Sequence, residues 1–583
     1  MVLSGSVFAA SPVLGALGAG PASVPEAGRR HRLLLLALVV ATSVPFWGKA
    51  FHIDDPFFIA IAENLKEHPL RPFGGAVALD DTDHRVFTRL GSAPNTFETL
   101  SHPPLVPYVI AAVAAVSGGL REVPQHAAFL LFSLAAVWFQ YRLARRFTPA
   151  PFLPTLLLAS SPLFMLGGQS VMTDVPALAL FLAGLALFVE GTDSGDARHL
   201  LLAGVLAGLA VLTRYVCLGL LPLGVLYALG RRRHTAKAWL ALVPFGLVVG
   251  LWCFQNLLEH GGVHLVASLR HYGEYYEGRY FTTADLGRRA ISDLAALGGT
   301  TLPLAVLLAV RLPAGRDLQP VLSALGASAL VWLNPLGLHE LREYDFPRKA
   351  ALALFLAAGV FLLAEAVRRS LPLRADRGFL LLWLLAGFFA TVVLLPFGSA
   401  RYVIPVLPPL ILLLCGGEEG KAVAPRWTRA ARGVGVAVTL SVALGLLVAI
   451  ADWQYANVYR EFARRGVPAV AGDHRVWFIG DWGFRYYMEK AGHRYLLSTD
   501  ETPTEGDFIV RPQNAALHLM APGLGARTQR ELQVPAMGTL PIRVMSYEAK
   551  AGYYSHGWGL LPLAISWAPL ESFEVFRVIA PPS

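Results

Sequence analysis

The sequence predicts an all-α polytopic membrane domain of about thirteen transmembrane helices, with interfacial helices in its first outer loop and a small extracytoplasmic α/β domain at its C-terminal end. Three observations carry this expectation. Of 583 residues, 55% are hydrophobic and only 15% are charged, against about 25% charged in an average soluble protein. Apolar runs long enough to match a bilayer recur from Arg32 to residue 451. The formal charge of +9 is dispersed in short basic clusters between those runs, which is how topology signals are distributed and not how a nucleic-acid-binding face is built. Cys217, Cys253 and Cys415 lie in apolar segments without metal-ligand spacing, so neither a disulfide framework nor a zinc site is indicated.

In chain order, residues 1–32 read as a disordered cytoplasmic tail ending in Arg29-Arg30-His31-Arg32. Residues 33–48 read as a retained first span, the alternative being a cleaved signal peptide. The later basic clusters mark the inner side. They are Arg142, Arg145 and Arg146; Arg231, Arg232, Arg233 and Lys237; Arg311 and Arg316; Arg368, Arg369, Arg374 and Arg377; and Lys421, Arg426, Arg429 and Arg432. Counting residues 105–119 as a span would move Arg142 to Arg146 outside, so this segment is expected to lie at the outer interface on a long first extracytoplasmic loop, residues 51–125. Spans then start near residues 33, 126, 150, 175, 200, 215, 238, 291, 317, 349, 378, 402 and 433, giving a transmembrane domain over residues 33–451. From residue 452 the composition changes. Val476 to Gly480 reads as a buried strand, Trp482 to Lys490 as a helix and Asp507 to Val510 as a second strand, within an extracytoplasmic domain over residues 452–583.

Ionisable groups at the outer ends of apolar segments are the informative residues, because setting such a group against hydrocarbon costs several kcal/mol unless a site or partner requires it. Asp54-Asp55-Pro56-Phe57-Phe58 follows the first span, with helix capping ahead of Pro56 as the alternative reading. Asp174 precedes Val175-Pro176 at another outer end and is also a credible cap. His102 opens Pro103-Pro104-Leu105, and Arg401-Tyr402 stands at the mouth of an apolar hairpin, where snorkelling to the headgroups is the common alternative.

Taken together, the order and spacing of these clusters resemble the membrane glycosyltransferases of GT-C fold that use polyprenyl-phosphate-linked sugars, in the protein mannosyltransferase-like and aminoarabinose-transferase-like branch. The elements are the Asp54-Asp55 pair with its downstream aromatics, His102-Pro103-Pro104-Leu105, Ser161-Pro162 leading to Asp174-Val175-Pro176, Gly208-Leu209-Ala210-Val211-Leu212-Thr213-Arg214, and Arg401-Tyr402-Val403-Ile404-Pro405-Val406-Leu407-Pro408. Members of that branch often carry Glu at the position of Asp55, Tyr at that of Phe58, and, in the aminoarabinose transferases, Lys at that of His102.

What the resemblance implies is transfer of a sugar from a polyprenyl-phosphate donor to an acceptor hydroxyl outside the cytoplasm, with inversion. Such a reaction needs a base for the acceptor and positive charge for the departing phosphate. On this reading Asp54 is the base. Asp55 and Asp174 orient acceptor and sugar, and Asp54 with Asp174 would hold a divalent cation if one is used. Arg401, with Tyr402 beside it, meets the lipid phosphate, since guanidinium matches phosphate oxygens bidentately; Arg214 and His102 are secondary. The loop from His271 to Tyr280 adds Glu277 and Arg279 as sugar and phosphate contacts, or serves as an interface anchor. The implied partners are the lipid-linked donor, a glycolipid, glycan or protein acceptor, and the bilayer of the cell membrane, with the N-terminus cytoplasmic. The Asp80-Asp81-Thr82-Asp83-His84 run reads as an exposed acidic loop. The alternatives are a transporter, for which midplane charge and inverted repeats would be expected and are not seen, and a non-catalytic envelope-assembly protein.

Overall fold

A computed structural model describes residues 24–73, 102–231, 235–276, 281–311, 318–416, 424–496, 502–515, 520, 522–525 and 527–579. The chain is mostly helical and is a multi-pass membrane protein. Six described helices are long and apolar enough to cross a bilayer, or seven if the pair Thr283–Thr300 and Leu302–Val310, bent by 74°, counts as one span. Several expected spans are shorter apolar helices, such as Ala197–Val211 and Gln319–Leu333.

The elements that position the site are few. Helix α1 (Val24–Ser43) starts nine residues before the expected first span and takes in the basic run Arg29 to Arg32; no proline interrupts the chain between Pro25 and Pro45, and proline is the strongest helix breaker. Helix α2 (Asp55–Glu67) opens with Pro56 in its first turn, where the missing N–H costs nothing. Helix α3 (Leu105–Ser117) is the expected apolar segment of the first outer loop and packs on α2. Helices α4 (Glu122–Phe147) and α5 (Asp174–Ser194) form a packed pair.

Charge gathers at both ends of α5. At its C-terminal end Asp193 meets Arg146 at 2.6 Å, and Asp376 meets Arg146 at 3.0 Å and also pairs with Arg231. This draws two of the basic clusters, through Arg146 and Arg231, into one network. Asp174 begins the same helix nineteen residues earlier, about 28 Å away at 1.5 Å per residue, close to the thickness of a hydrocarbon core. The two charged ends therefore face opposite interfaces.

Helices α6 (Thr283–Thr300) and α7 (Phe346–Ser370) cross at contact distance because Gly298 and Gly359 meet there. A Cβ on either would run into backbone of the other helix, at Phe355 and Leu294 respectively. Helix α8 (Ala424–Glu461) runs unbroken through residue 452. The polar tail beyond it thus hangs on a rigid extension of the last long helix.

The C-terminal region carries a five-stranded sheet. Strand β1 (Val476–Phe478) is followed by helix α9 (Trp482–Lys490), then β2 (Arg494–Tyr495), β3 (Phe508–Pro512), β4 (Thr528–Ala536) and β5 (Glu571–Val578), in the spatial order β2-β1-β3-β5-β4. β1 pairs in parallel with β2 and β3, and β5 runs antiparallel to β3 and β4. Glu571, fully buried at the start of β5, accepts backbone N–H bonds from Gln513, Asn514 and Ser572 and a bond from the Tyr459 hydroxyl of α8. Burial nevertheless pushes its carboxyl up to about 7. Because this group titrates higher in the folded chain than in the unfolded one, the stability it contributes is present below the ordinary value of 4.5 and is lost as pH rises through about 7. The thermal midpoint of the wild type is expected to fall between pH 5 and pH 8 by the equivalent of roughly 3 kcal/mol. Scanning Glu571→Gln over that range should give a flatter profile.

Candidate active site

Asp54, Asp174, Arg214 and Arg401, separated by up to 347 positions in the sequence, meet at one place. Asp54 stands at the N-cap of α2 without capping it through its side chain. Its carboxylate instead meets Arg401 Nη2 at 2.6 Å. Arg401 Nη1 lies 3.7 Å from Asp174 Oδ2, and Asp174 is also ion-paired with Arg214. Arg401 thus bridges the two carboxylates. Tyr402, itself buried, lays its ring beside both guanidinium groups, 5.0 Å from that of Arg214 and 5.3 Å from that of Arg401. The Asp54 side chain is 28% exposed, whereas those of Asp174, Arg214 and Arg401 are each below 10%. Access is therefore from the Asp54 side. Arg401 Nε is buried without a hydrogen-bond partner, a donor left over within a cluster of two guanidinium groups and two carboxylates.

The acidic turn is built by a second, hidden layer that the sequence did not disclose. Asp55 is fully buried behind Asp54, accepting from the backbone N–H of Val171 at 3.0 Å and of His52 at 3.2 Å. It fastens the turn to the segment that leads into Asp174. His52 Nε2 lies 3.2 Å from Asp452 Oδ1 and 3.1 Å from the Tyr554 hydroxyl, and Lys49 Nζ donates to Asp452 Oδ2 at 2.6 Å. All three ionisable groups are fully buried. Between them Ile53 adopts a left-handed φ of 50°, a costly conformation for a β-branched residue that persists only where its surroundings over-determine it. Helix α9 closes the same turn from outside: Gly483 abuts the backbone of Phe51 and His52, and a Cβ there would collide with the Phe51 carbonyl. Lys49 and Asp452 end the first and last long apolar runs, and opposite charges in those places are the signal from which their pairing could have been read.

His102 stacks its ring on Phe58 of α2, with centroids 5.6 Å apart, one turn beyond Asp54. The adjacent Leu105 N–H donates to the Leu212 carbonyl at 3.1 Å, tying α3 to the segment that bears Arg214. Glu277, Arg279 and the Asp80 to His84 run lie outside the described residues. A divalent cation between Asp54 and Asp174 does not fit this donor set, because guanidinium groups already meet both carboxylates. Among the described residues no three His, Cys, Asp or Glu side chains are grouped to hold a metal ion.

The geometry can accept a proton at Asp54 and receive an anion at Arg401 and Arg214. Comparison with solved structures finds archaeal oligosaccharyltransferase AglB from Archaeoglobus fulgidus in complex with an inhibitory peptide and a dolichol-phosphate, at 15% identity and TM-score 0.45, covering 84% of this chain and 64% of that one. The chain thus spans less than two thirds of that protein's length. ArnT from Cupriavidus metallidurans bound to undecaprenyl phosphate gives 14% identity and TM-score 0.42, with 84% and 94% covered. Arabinofuranosyltransferase AftD from Mycobacteria gives 11% and 0.40, with 96% and 40% covered. No curated protein sequence matches the chain. The family model described as dolichyl-phosphate-mannose-protein mannosyltransferase matches residues 101–258, a stretch that takes in His102, Asp174 and Arg214 but not Asp54 or Arg401, and over it the chain is similar to that family.

Proposed function

We propose that the protein is a membrane glycosyltransferase that moves a sugar from a polyprenyl-phosphate donor to an acceptor hydroxyl on the extracytoplasmic side of the cell membrane. The observation that carries this reading is Arg401 held between Asp54 and Asp174, with a buried Nε–H left over. The donor phosphate competes with Asp54 for Arg401. As its oxygens take the guanidinium, the Asp54 carboxylate is released to receive the acceptor proton, so the base is freed by the arrival of the donor. The acceptor oxygen then bonds to the anomeric carbon while the bond from that carbon to the phosphate oxygen breaks, inverting the centre. The leaving charge falls on Arg401 and Arg214, and no general acid is needed because the leaving group is already a phosphate. Asp174 holds both arginines in place, and Asp55 holds the turn that presents Asp54.

The donor's hydrocarbon needs an apolar path. Ten residues along α5 from Asp174, about 15 Å by helix rise, Gly184, Leu185 and Phe188 line an apolar crevice with Leu221, Val225 and Phe245. The finer topology belongs to the same proposal: about thirteen spans, an N-terminus in the cytoplasm, and residues 452–583 outside.

Binding of undecaprenyl phosphate to the purified full-length protein in nanodiscs tests the phosphate arm. Arg401→Ala is expected to weaken binding by about 100-fold. Arg401→Lys should recover only part of it, since a single ammonium cannot reproduce the bidentate fork. Unchanged affinity in Arg401→Ala would remove the phosphate from this site.

A further inference from the structure

We infer that the strap formed by Tyr553 to His556 aligns the phosphate arm against the acidic turn, and that His556 is a positioning residue for Arg401. This rests on the glycosyltransferase reading above.

Arg401 follows a non-helical segment whose course fixes where its guanidinium points, and that segment is held almost wholly by remote groups. The Gly398 N–H donates to His556 Nδ1 at 2.7 Å, and the His556 N–H donates back to the Gly398 carbonyl at 2.9 Å. The Ser399 N–H donates to Asp293 of α6 at 3.1 Å, and the Ser399 hydroxyl to the Tyr553 carbonyl at 3.1 Å. The Ala400 N–H donates to the same Tyr553 carbonyl at 2.9 Å. Three successive backbone donors ahead of Arg401 thus end on two anchors, α6 and the strap. A side chain at position 398 would press on Ser292, so the segment has little room to shift.

The strap reaches the other half of the site as well. The Tyr554 hydroxyl donates to Asp452 Oδ1 at 2.9 Å and lies 3.1 Å from His52 Nε2, inside the buried layer beneath Asp54. Three residues of one short strap, Tyr553, Tyr554 and His556, therefore touch what holds the base and what holds the phosphate arm. Aligning two groups that must act on one bond is worth orders of magnitude in rate. For His556 to accept from Gly398, Nδ1 must be unprotonated. Burial, with Arg288 and Arg289 opposing a positive charge and Glu340 favouring it, holds the imidazole down to about 4, so it remains neutral at physiological pH.

The test compares undecaprenyl phosphate affinity and thermal midpoint for the full-length wild type, His556→Ala, His556→Asn, Ser399→Ala and Arg401→Ala in nanodiscs. Asparagine is informative because its side-chain oxygen can stand near where Nδ1 stands. His556→Ala is expected to weaken binding about tenfold by leaving the Gly398 N–H without its acceptor. His556→Asn should bind within about twofold of wild type, and Ser399→Ala about threefold more weakly. If Arg401→Ala loses binding but His556→Ala binds as wild type, the positioning role is overturned and the glycosyltransferase reading stands. If Arg401→Ala itself binds as wild type, that reading fails first. Equal losses in the alanine and asparagine variants would point to packing and overturn the hydrogen-bond role. Should His556→Ala not fold, near-wild-type affinity in His556→Asn together with about threefold weaker binding in Ser399→Ala supports the proposal where Arg401→Ala is weak, while a loss in His556→Asn or unchanged affinity in Ser399→Ala overturns it.

Discussion

Asp54→Asn is expected to lower the turnover of sugar transfer by about 1,000-fold, in the range spanned by the loss of a positioned general base. The amide keeps the shape of the carboxylate and its place at the start of α2 but cannot take a proton. Because Asp54 and the donor phosphate draw on the same guanidinium, 2.6 Å from the Asp54 carboxylate, removing the negative charge should leave undecaprenyl phosphate binding unimpaired or tighter. The signature is a large fall in kcat without a rise in the KM for the donor. Asp174→Asn differs: it unpairs Arg214 and loosens Arg401 together, so both kcat and donor affinity should fall. Steady-state kinetics with varied donor separates the two variants, and equal kinetic patterns would contradict the separate roles.

Lys49→Met is expected to cost about 3 to 5 kcal/mol of stability, the usual consequence of leaving one member of a buried ion pair uncompensated. The Lys49 to Asp452 contact is 2.6 Å long with both side chains fully buried, so water cannot replace the missing ammonium. His52 would remain beside the stranded carboxylate, its Nε2 3.2 Å from Asp452 Oδ1. Replacing both partners, as Lys49→Met with Asp452→Leu, should restore much of the loss, because an apolar pair avoids desolvating charge. Thermal unfolding of the purified variants checks this. A single variant as stable as the double would show that the pair is not coupled. The double variant also tests purpose: it removes an anchor of His52 and Tyr554, so recovered stability with reduced turnover would identify the pair as a device for shaping the acidic turn.

The sequence disclosed those parts of the molecule whose signal is local. Apolar runs are legible because the hydrocarbon core must be matched residue by residue, although their exact number is not, since several are short or bent helices such as Thr283–Thr300 with Leu302–Val310. Strands β1 and β3 were legible as short continuous apolar runs, and helix α9 as the helical segment between them, within an otherwise more polar tail. Asp54, Asp174, His102 and Arg401 stood out because each is an ionisable group placed where the membrane penalises it, whereas Arg214 was reached only through the motif resemblance. The layer beneath them was not read from the sequence, because the pairing of Lys49 with Asp452 spans 403 positions and its one signal is the opposite charge at the ends of the first and last long apolar runs. Asp55 illustrates the limit. The resemblance made Asp54 the base and Asp55 an orienter of acceptor and sugar, whereas the fold turns Asp54 toward the exposed side and buries Asp55 on the Val171 and His52 amides. His556 carried no signal at all, because its partner is the backbone of Gly398, and a backbone partner leaves no mark on residue type.

The most direct test of the central claim is donor choice by the purified full-length protein. Supplied with polyprenyl-monophosphate-linked sugars extracted from membranes, with nucleotide sugars in a parallel reaction, and with delipidated cell-envelope glycans as acceptor, it is expected to release polyprenyl phosphate in the first reaction and to transfer nothing in the second, with release lost in Asp54→Asn and Arg401→Ala. Transfer from the nucleotide sugar, or release of polyprenyl phosphate undiminished in both variants, would contradict the assignment of the reaction to this site.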